Sequence, residues 1–119
     1  MEARLPVFDV HQTWFDQLVV VAARGDVDAL TAPRLNDEIL RVLAEQPSAV
    51  IVDLTAVDFL ASSGMTVLIS AHEKIAPTAH FGVVASGSGT SRPLKLMAID
   101  SVISLYETLP EAIAACTTA

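Results

Sequence analysis

Residues 51–69 read "IVDLTAVDFLASSGMTVLI", and this stretch decides the fold because it joins two different hydrophobic periods. Residues 49–54, "AVIVDL", overlap its start and form an apolar, β-branched run typical of a central strand covered on both faces. After the serines, the inward-facing positions recur at helical spacing, at Met65, Leu68, Ile69, His72 and Ile75. The stretch therefore predicts a buried strand that passes into an amphipathic helix at Ser62, Ser63 and Gly64.

Two strands precede this unit and form a predicted antiparallel hairpin. The segment "PVFDVHQTW" (6–14) alternates apolar and polar residues, as a half-buried edge strand does. The segment "QLVVVAARG" (17–25) follows after a very short gap around Phe15 and Asp16. Such close spacing favours a hairpin, and we expect Gly25 to end the second strand.

The remaining elements alternate between helices and strands. Apolar residues recur at helical spacing from Ala32 onward, and Pro47 stops that helix. The later pattern predicts a strand at 80–86, a helix at 91–99 with Ser91 as candidate N-cap, a strand at 101–107, and a terminal helix at 108–116 whose Thr108 and Glu111 have capping-box spacing. This alternation predicts one α/β domain over residues 1–119: a mixed, mostly parallel sheet of about five strands, antiparallel at the first, with about four flanking helices.

Composition excludes several function classes. The formal net charge of −7 argues against nucleic acid and against an anionic membrane as a partner. No apolar run reaches the roughly 18 residues that a membrane span requires, and the N-terminus does not have the pattern of a signal peptide, so we expect a cytoplasmic protein. Cys116 is the single cysteine and no metal-type spacing occurs, so the sequence predicts neither a disulfide nor a metal or other cofactor.

Two segments follow predicted parallel strands and are candidates for a functional site. They are "GDVDALT" (25–31) and "VDFLASSGM" (57–65). If the two strands are neighbours, Asp26 and Asp28 share one end of the sheet with the two serines, because sites in open α/β folds lie at the carboxyl ends of the strands.

The paired serines admit several interpretations. One serine can cap the helix, but a single N-cap explains neither the second serine nor Gly64, whose benefit would be the close approach of another element or of a partner's backbone. A serine nucleophile requires a nearby base, and His72 would lie roughly 15 Å along the helix from Ser62. A phosphorylated serine is the third interpretation, because a helix N-terminus tolerates added negative charge.

Two other phosphate sites fit the residues poorly. A phospho-aspartate receiver would use Asp53, but neither lysine of the chain directly follows a strand. The segment "SGSGTS" (86–91) lacks the lysine of a P-loop, so we expect a flexible surface loop there rather than a nucleotide site.

"GDVDALTAPRL" followed by "IVDLTAVDFLASSGMTVLI" resembles the STAS domain of bacterial anti-sigma factor antagonists, and the likeness extends over nearly the whole chain. The resemblance implies a non-enzymatic protein that binds an anti-sigma factor and so frees a sigma factor. It also implies that the anti-sigma factor is a serine kinase of ATPase fold that phosphorylates the antagonist, and that a serine phosphatase reverses the modification.

Carried over residue by residue, the resemblance makes Ser62 the phosphorylated serine and Asp28 the acidic residue of the neighbouring loop. Ala61 departs from the family pattern, which often has Asp at this position. The predicted partner-binding residues are Asp26, Asp28, Ala61, Ser62, Ser63, Gly64 and Met65. A constitutive STAS accessory subunit, for example of a lipid-transport ATPase, stays open as an alternative that needs no phosphorylation.

Overall fold

The computed structural model describes residues 8–117, which form a five-stranded sheet with helices on both faces. The strands are β1 (Asp9–Phe15), β2 (Leu18–Val27), β3 (Ala49–Leu60), β4 (His80–Val84) and β5 (Ser104–Tyr106). The helices are α1 (Ala32–Leu43), α2 (Ser62–Ile75), α3 (Ser91–Leu96) and α4 (Leu109–Thr117), with a 3₁₀ turn at Ile99–Ser101. This arrangement confirms the predicted fold class.

The spatial order of the strands is β1-β2-β3-β4-β5. β1 pairs with β2 in antiparallel orientation, and the other neighbours are parallel. The predicted hairpin is correct, but Phe15 belongs to β1 and the turn is formed by Asp16 and Gln17. Asp16 has a φ of 54°, a left-handed conformation that Asp adopts more readily than most residues. Two residues of the predicted first strand, Pro6 and Val7, lie outside the described residues.

The two central strands are longer than their apolar runs indicated. β2 continues past Gly25 to Val27, so the prediction that Gly25 ends this strand is wrong. β3 runs to Leu60 rather than ending at residue 54. The extension is possible because the two strands stay paired through register shifts between Ala22 and Arg24 and between Gly25 and Asp26. The strands therefore carry the backbone directly to the serine pair.

Two separate hydrophobic cores hold the helices against the two faces of the sheet. The larger one packs α1 and α2 against one face of the sheet, with Leu35, Ile39 and Leu68 among its fully buried side chains. The smaller one packs α4 against the other face through Ala112 and Cys116. Successive residues of a strand point to opposite faces, so the continuous run in β3 supplies both cores, as expected for a central strand.

The helix ends confirm one predicted cap and overturn another. Thr108 and Glu111 form the predicted capping pair, since the backbone N–H of Glu111 donates to Thr108 Oγ1 at 3.3 Å. Ser91 does not cap α3, because Thr90 occupies the N-cap position and no side chain caps this helix. The helix also ends at Leu96 instead of residue 99, since Ala98 adopts a left-handed φ of 57°.

Candidate functional site

Ala61 alone separates β3 from α2. Its backbone is extended, with φ −82° and ψ 171°, and it occupies the N-cap position of α2. Ser62 and Ser63 lie inside the first helical turn, and no side chain caps the helix. The expectation that one serine caps α2 is therefore wrong, because the strand continues up to the serine pair and leaves the capping position to alanine, which has no side-chain oxygen.

Ser62 is exposed at the start of the helix. Its hydroxyl makes no hydrogen bond within residues 8–117, although its carbonyl accepts one from Thr66 Oγ1 at 3.1 Å. The hydroxyl is thus free to react, and the partial positive charge of the helix N-terminus favours an anion at this place. An exposed hydroxyl at a charge-tolerant position is compatible with phosphorylation.

Ser63 differs from Ser62 in its surroundings. Its Oγ is buried and has no hydrogen-bond partner within the part of the chain that the structure describes. The side chain lines a groove of about 510 Å³ between α1 and α2, together with Ala29, Ala32, Pro33, Asn36, Thr66 and Val67. The two adjacent serines therefore divide into an accessible hydroxyl and an enclosed one.

Gly64 is needed because α2 lies so close to the strand ends. A Cβ at this position would come within 2.5 Å of Leu60 Cδ1 and 2.7 Å of Val27 Cγ1, both on buried side chains. The close approach is therefore to the chain's own strands. Gly64 and Met65 are both buried, so a part in partner binding would act through the position of α2 rather than through an exposed surface.

The β3–α2 junction is held from both sides. The N–H of Ala61 donates to the carbonyl of Val27 at 2.8 Å, and the N–H of Leu60 donates to the carbonyl of Gly89 at 3.0 Å. The loops after β2 and β4 consequently flank Ser62. The structure thus brings Asp26 and Asp28 to the same end of the sheet as the serine pair, as the sequence predicted.

Asp28 organises the loop between β2 and α1. Its Oδ1 accepts hydrogen bonds from the backbone N–H of Leu30 at 3.0 Å and of Thr31 at 3.1 Å. Thr31 Oγ1 in turn donates to the carbonyl of Asp26 at 2.7 Å. With the loop held this way, the side chain of Leu30 is 86% exposed.

The loop at 86–91 was missed as part of the site. It was expected to be a flexible surface loop, yet a Cβ on Gly89 would come within 1.9 Å of the Asp58 carbonyl oxygen, and Thr90 is 1% exposed. The end of the loop at Gly89 and Thr90 is therefore packed tightly against the end of β3, while residues 86–88 are exposed at the surface, as predicted. The signal that could have found it is topological: β4 runs parallel beside β3, so its following loop reaches the same edge of the sheet.

The three histidines lie away from Ser62. His80 pairs with Ala49 at the opposite end of the sheet, and His11 lies in the edge strand β1. His72 is ten residues along α2, where its ring packs 6.2 Å from that of Phe81. Among residues 8–117 no group of three or more His, Cys, Asp or Glu side chains could hold a metal ion.

The described part of the chain contains no helix that is long and apolar enough to cross a membrane.

The profile of the STAS domain matches residues 10–112, and the chain belongs to this family. A curated relative from Mycobacterium tuberculosis, "Anti-sigma-F factor antagonist RsfB", is 42% identical over 96 residues, which cover 81% of this chain and 79% of the relative. A crystal structure of an anti-sigma factor antagonist from Mycobacterium paratuberculosis is 38% identical with a TM-score of 0.90, covering 94% of this chain and 96% of that one.

A protein of much lower sequence identity has the same fold. The phosphorylated form of the Bacillus cell fate determinant SpoIIAA superposes with a TM-score of 0.66 at 14% identity, covering 92% of this chain and 98% of that one. At this level of identity the likeness is one of fold.

Proposed function

We propose that this chain is an anti-sigma factor antagonist: it binds an anti-sigma factor, frees a sigma factor, and loses that binding when Ser62 is phosphorylated. The observation that carries the proposal is the exposed, unbonded hydroxyl of Ser62 in the first turn of α2. The names of the relatives, antagonists of anti-sigma factors at 42% and 38% identity, support the same role.

The binding surface is formed by the ends of β2, β3 and β4 around Ser62. Leu30 in the loop after β2 and Phe59 near the end of β3 are large apolar side chains exposed to solvent, and both would be available to a partner docked over Ser62. Asp26 and Asp28 lie in the same region, where Asp28 holds the loop that presents Leu30. The surface thus combines apolar contact area with negative charge at one edge.

Phosphorylation would switch this surface without refolding the domain. A phosphate adds about −1.5 to −2 charge, and the first turn of a helix accommodates it. A partner docked over Ser62 would have to enclose this charge, at a cost of several kcal/mol when no cation compensates it. Because each 1.4 kcal/mol is about tenfold in affinity, one phosphate would lower partner affinity on the order of a hundredfold.

The proposal also includes the proteins that would add and remove the phosphate. The partner would be an anti-sigma factor with the ATPase fold of a serine kinase, and a serine phosphatase would restore the free hydroxyl. The chain itself would act by binding rather than by catalysis, in the cytoplasm, and without a cofactor. Ala61 leaves the residue before the acceptor uncharged, so the kinase would recognise a neutral junction.

A competition experiment tests the proposal. The anti-sigma factor, preloaded with its sigma factor, is incubated with the native chain, with Ser62→Glu, or with the control Ser48→Glu. Ser48 is an exposed serine directly before β3, about 40 Å from Ser62 along that strand. Sigma factor release by the native chain and by Ser48→Glu, but not by Ser62→Glu, is the expected result.

Mass spectrometry after incubation with the anti-sigma factor and ATP tests the covalent step. A phosphate on Ser62 and on no other residue is expected. Binding that Ser62→Glu leaves intact, together with co-purification of a membrane transport ATPase, would instead identify a constitutive accessory subunit.

A further inference from the structure

A basic pocket lies on the β4 side of the β3–α2 junction. Its volume is about 420 Å³, and it is formed by the loop at 86–91 and one face of α3. The residues that give it its chemistry are Ser86, Ser88, Ser91, Arg92, Lys95 and Leu96. Three hydroxyls, two cations and one exposed leucine therefore line the same depression.

The two cations of this pocket are unpaired. Neither Arg92 nor Lys95 forms an ion pair or a side-chain hydrogen bond with any residue from 8 to 117. Of the other described cations, Arg41 pairs with Glu38 and Arg34 donates to the carbonyl of Phe8, whereas Arg24 and Lys74 also have no such partner. What distinguishes Arg92 and Lys95 is that both line one pocket of a chain with a net charge of −7, which favours an anionic group there.

The position of the pocket is fixed by the backbone. The carbonyl of Gly87 accepts hydrogen bonds from the N–H of Thr90 at 3.1 Å and of Ser91 at 2.8 Å. The carbonyl of Gly89 accepts from the N–H of Leu60, two residues before Ser62. The pocket is thus built into the loop that flanks Ser62, opposite Asp26 at the end of β2 and Asp28 in the loop that follows it.

Two exposed apolar side chains lie at the C-terminal end of α3, next to the pocket. Leu96 is 75% exposed and Met97 is 65% exposed, and exposed apolar surface beside charged residues is typical of an unoccupied protein contact. Methionine suits such a contact because its flexible side chain adapts to different partners. A ligand that satisfies both parts must combine negative charge with apolar side chains.

We propose that the basic pocket binds an acidic, amphipathic segment of the anti-sigma factor, with carboxylates at Arg92 and Lys95 and apolar side chains against Leu96 and Met97. The proposal rests on the proposed function and adds the chemistry of the partner. Nucleic acid fits less well, because two cations in a chain of charge −7 cannot offset many phosphates. A phosphate on Ser62, at the junction to which this loop is bonded through Leu60, would add negative charge to the same end of the sheet and so repel the acidic segment.

Charge reversal tests the proposal with a matched control. Lys95→Glu is compared with Lys74→Glu, which makes the same charge change in a separate groove at Gln46 and Thr78. Affinity for the recombinant anti-sigma factor is measured by titration calorimetry at low and high NaCl. We expect Lys95→Glu to lower affinity about tenfold at low salt, less at high salt, and Lys74→Glu to bind as the native chain does. Equal affinities of the two variants would overturn the proposal.

A second measurement separates this proposal from the proposed function. Amide chemical shifts of the native chain are followed during titration with a short synthetic peptide rich in Glu and Leu, and separately with inorganic phosphate. Shifts at 86–97 with the peptide, lost in Lys95→Glu, support the pocket even if no anti-sigma factor binds the native chain. Equal shifts with phosphate alone would assign a small-anion site and overturn the proposal, as would the absence of shifts with both probes.

Discussion

The backbone N–H of Ala61 donates to the carbonyl of Val27 at 2.8 Å, which ties the start of α2 to the end of β2. Through this bond the acidic loop that begins at Asp28 and the exposed Ser62 share one surface. The hydrogen bond from the N–H of Leu60 to the carbonyl of Gly89 likewise ties the end of β3 to the loop at 86–91, which forms the basic pocket. The candidate site is therefore a property of three neighbouring strand ends.

Gly64→Ala should destabilise the domain. The added Cβ would meet Leu60 Cδ1 at 2.5 Å and Val27 Cγ1 at 2.7 Å, and both side chains are buried in the core. Overpacking of this kind costs about 1–3 kcal/mol in the free energy of unfolding, measurable by urea denaturation. Gly87→Ala is the control, since a Cβ there would lie 3.8 Å from Thr90 Oγ1. Equal stability of the two variants would show that α2 can shift away from the strands.

Ala61→Asp should stabilise the domain. Its extended backbone suits an N-cap residue, and an aspartate oxygen could accept a hydrogen bond from a backbone N–H of the first turn, worth about 0.5–2 kcal/mol. Thermal unfolding measures the gain. Ala76→Asp at the other end of the same helix is the control, because a carboxylate at a helix C-terminus is unfavourable. A lower melting temperature for Ala61→Asp than for the native chain would contradict the assigned cap position.

Asp28→Ala should loosen the loop before α1. The carboxylate accepts from the N–H of Leu30 and of Thr31, and a lost hydrogen bond to a charged group costs about 1.5–3 kcal/mol. Hydrogen exchange at these two amides should accelerate. Asp37→Ala, at an exposed position in α1, should change neither exchange nor stability. Unchanged exchange in Asp28→Ala would mean that the loop is held by other contacts.

Cys116 should react slowly with alkylating reagents in the folded chain. Burial raises the pKa of its thiol above the ordinary value of 9.0, so little reactive thiolate is present near pH 8. The folded state holds the thiol proton more tightly than the unfolded state does. The stabilisation of the fold by the protonated thiol is therefore complete below pH 9, and it is lost as the pH rises through the higher pKa of the folded state. Iodoacetamide labelling should accelerate in urea. Labelling at the same rate with and without urea would disprove the burial.

The strands and helices could be predicted because their signals are local. The alternation in β1, the continuous apolar run in β3 and the helical spacing in α2 each follow from which faces an element buries. The serine caps were predicted wrongly for a related reason. Which residue caps a helix changes when the start of the helix moves by one residue. The pairing of β2 with β3 extends β3 to Leu60, so Ala61 occupies the N-cap position of α2.

The loop at 86–91 illustrates what local reasoning leaves out. Its Gly and Ser residues indicate flexibility when read alone, yet the parallel pairing of β3 with β4 brings the loop against Asp58 and Leu60. The free cations Arg92 and Lys95 are likewise recognisable only when their neighbours in space are known. The acidic side of the site was predicted because Asp26 and Asp28 lie at and just after the end of β2, next to β3, which leads into Ser62.

The central claim is that the charge state of Ser62 controls partner binding, and titration calorimetry tests it most directly. The chain carrying phosphoserine at Ser62 is titrated into the anti-sigma factor beside the unmodified chain. We predict tight binding of the unmodified chain and an affinity on the order of a hundredfold lower for the phosphorylated one. Equal affinity of the two forms would contradict the account.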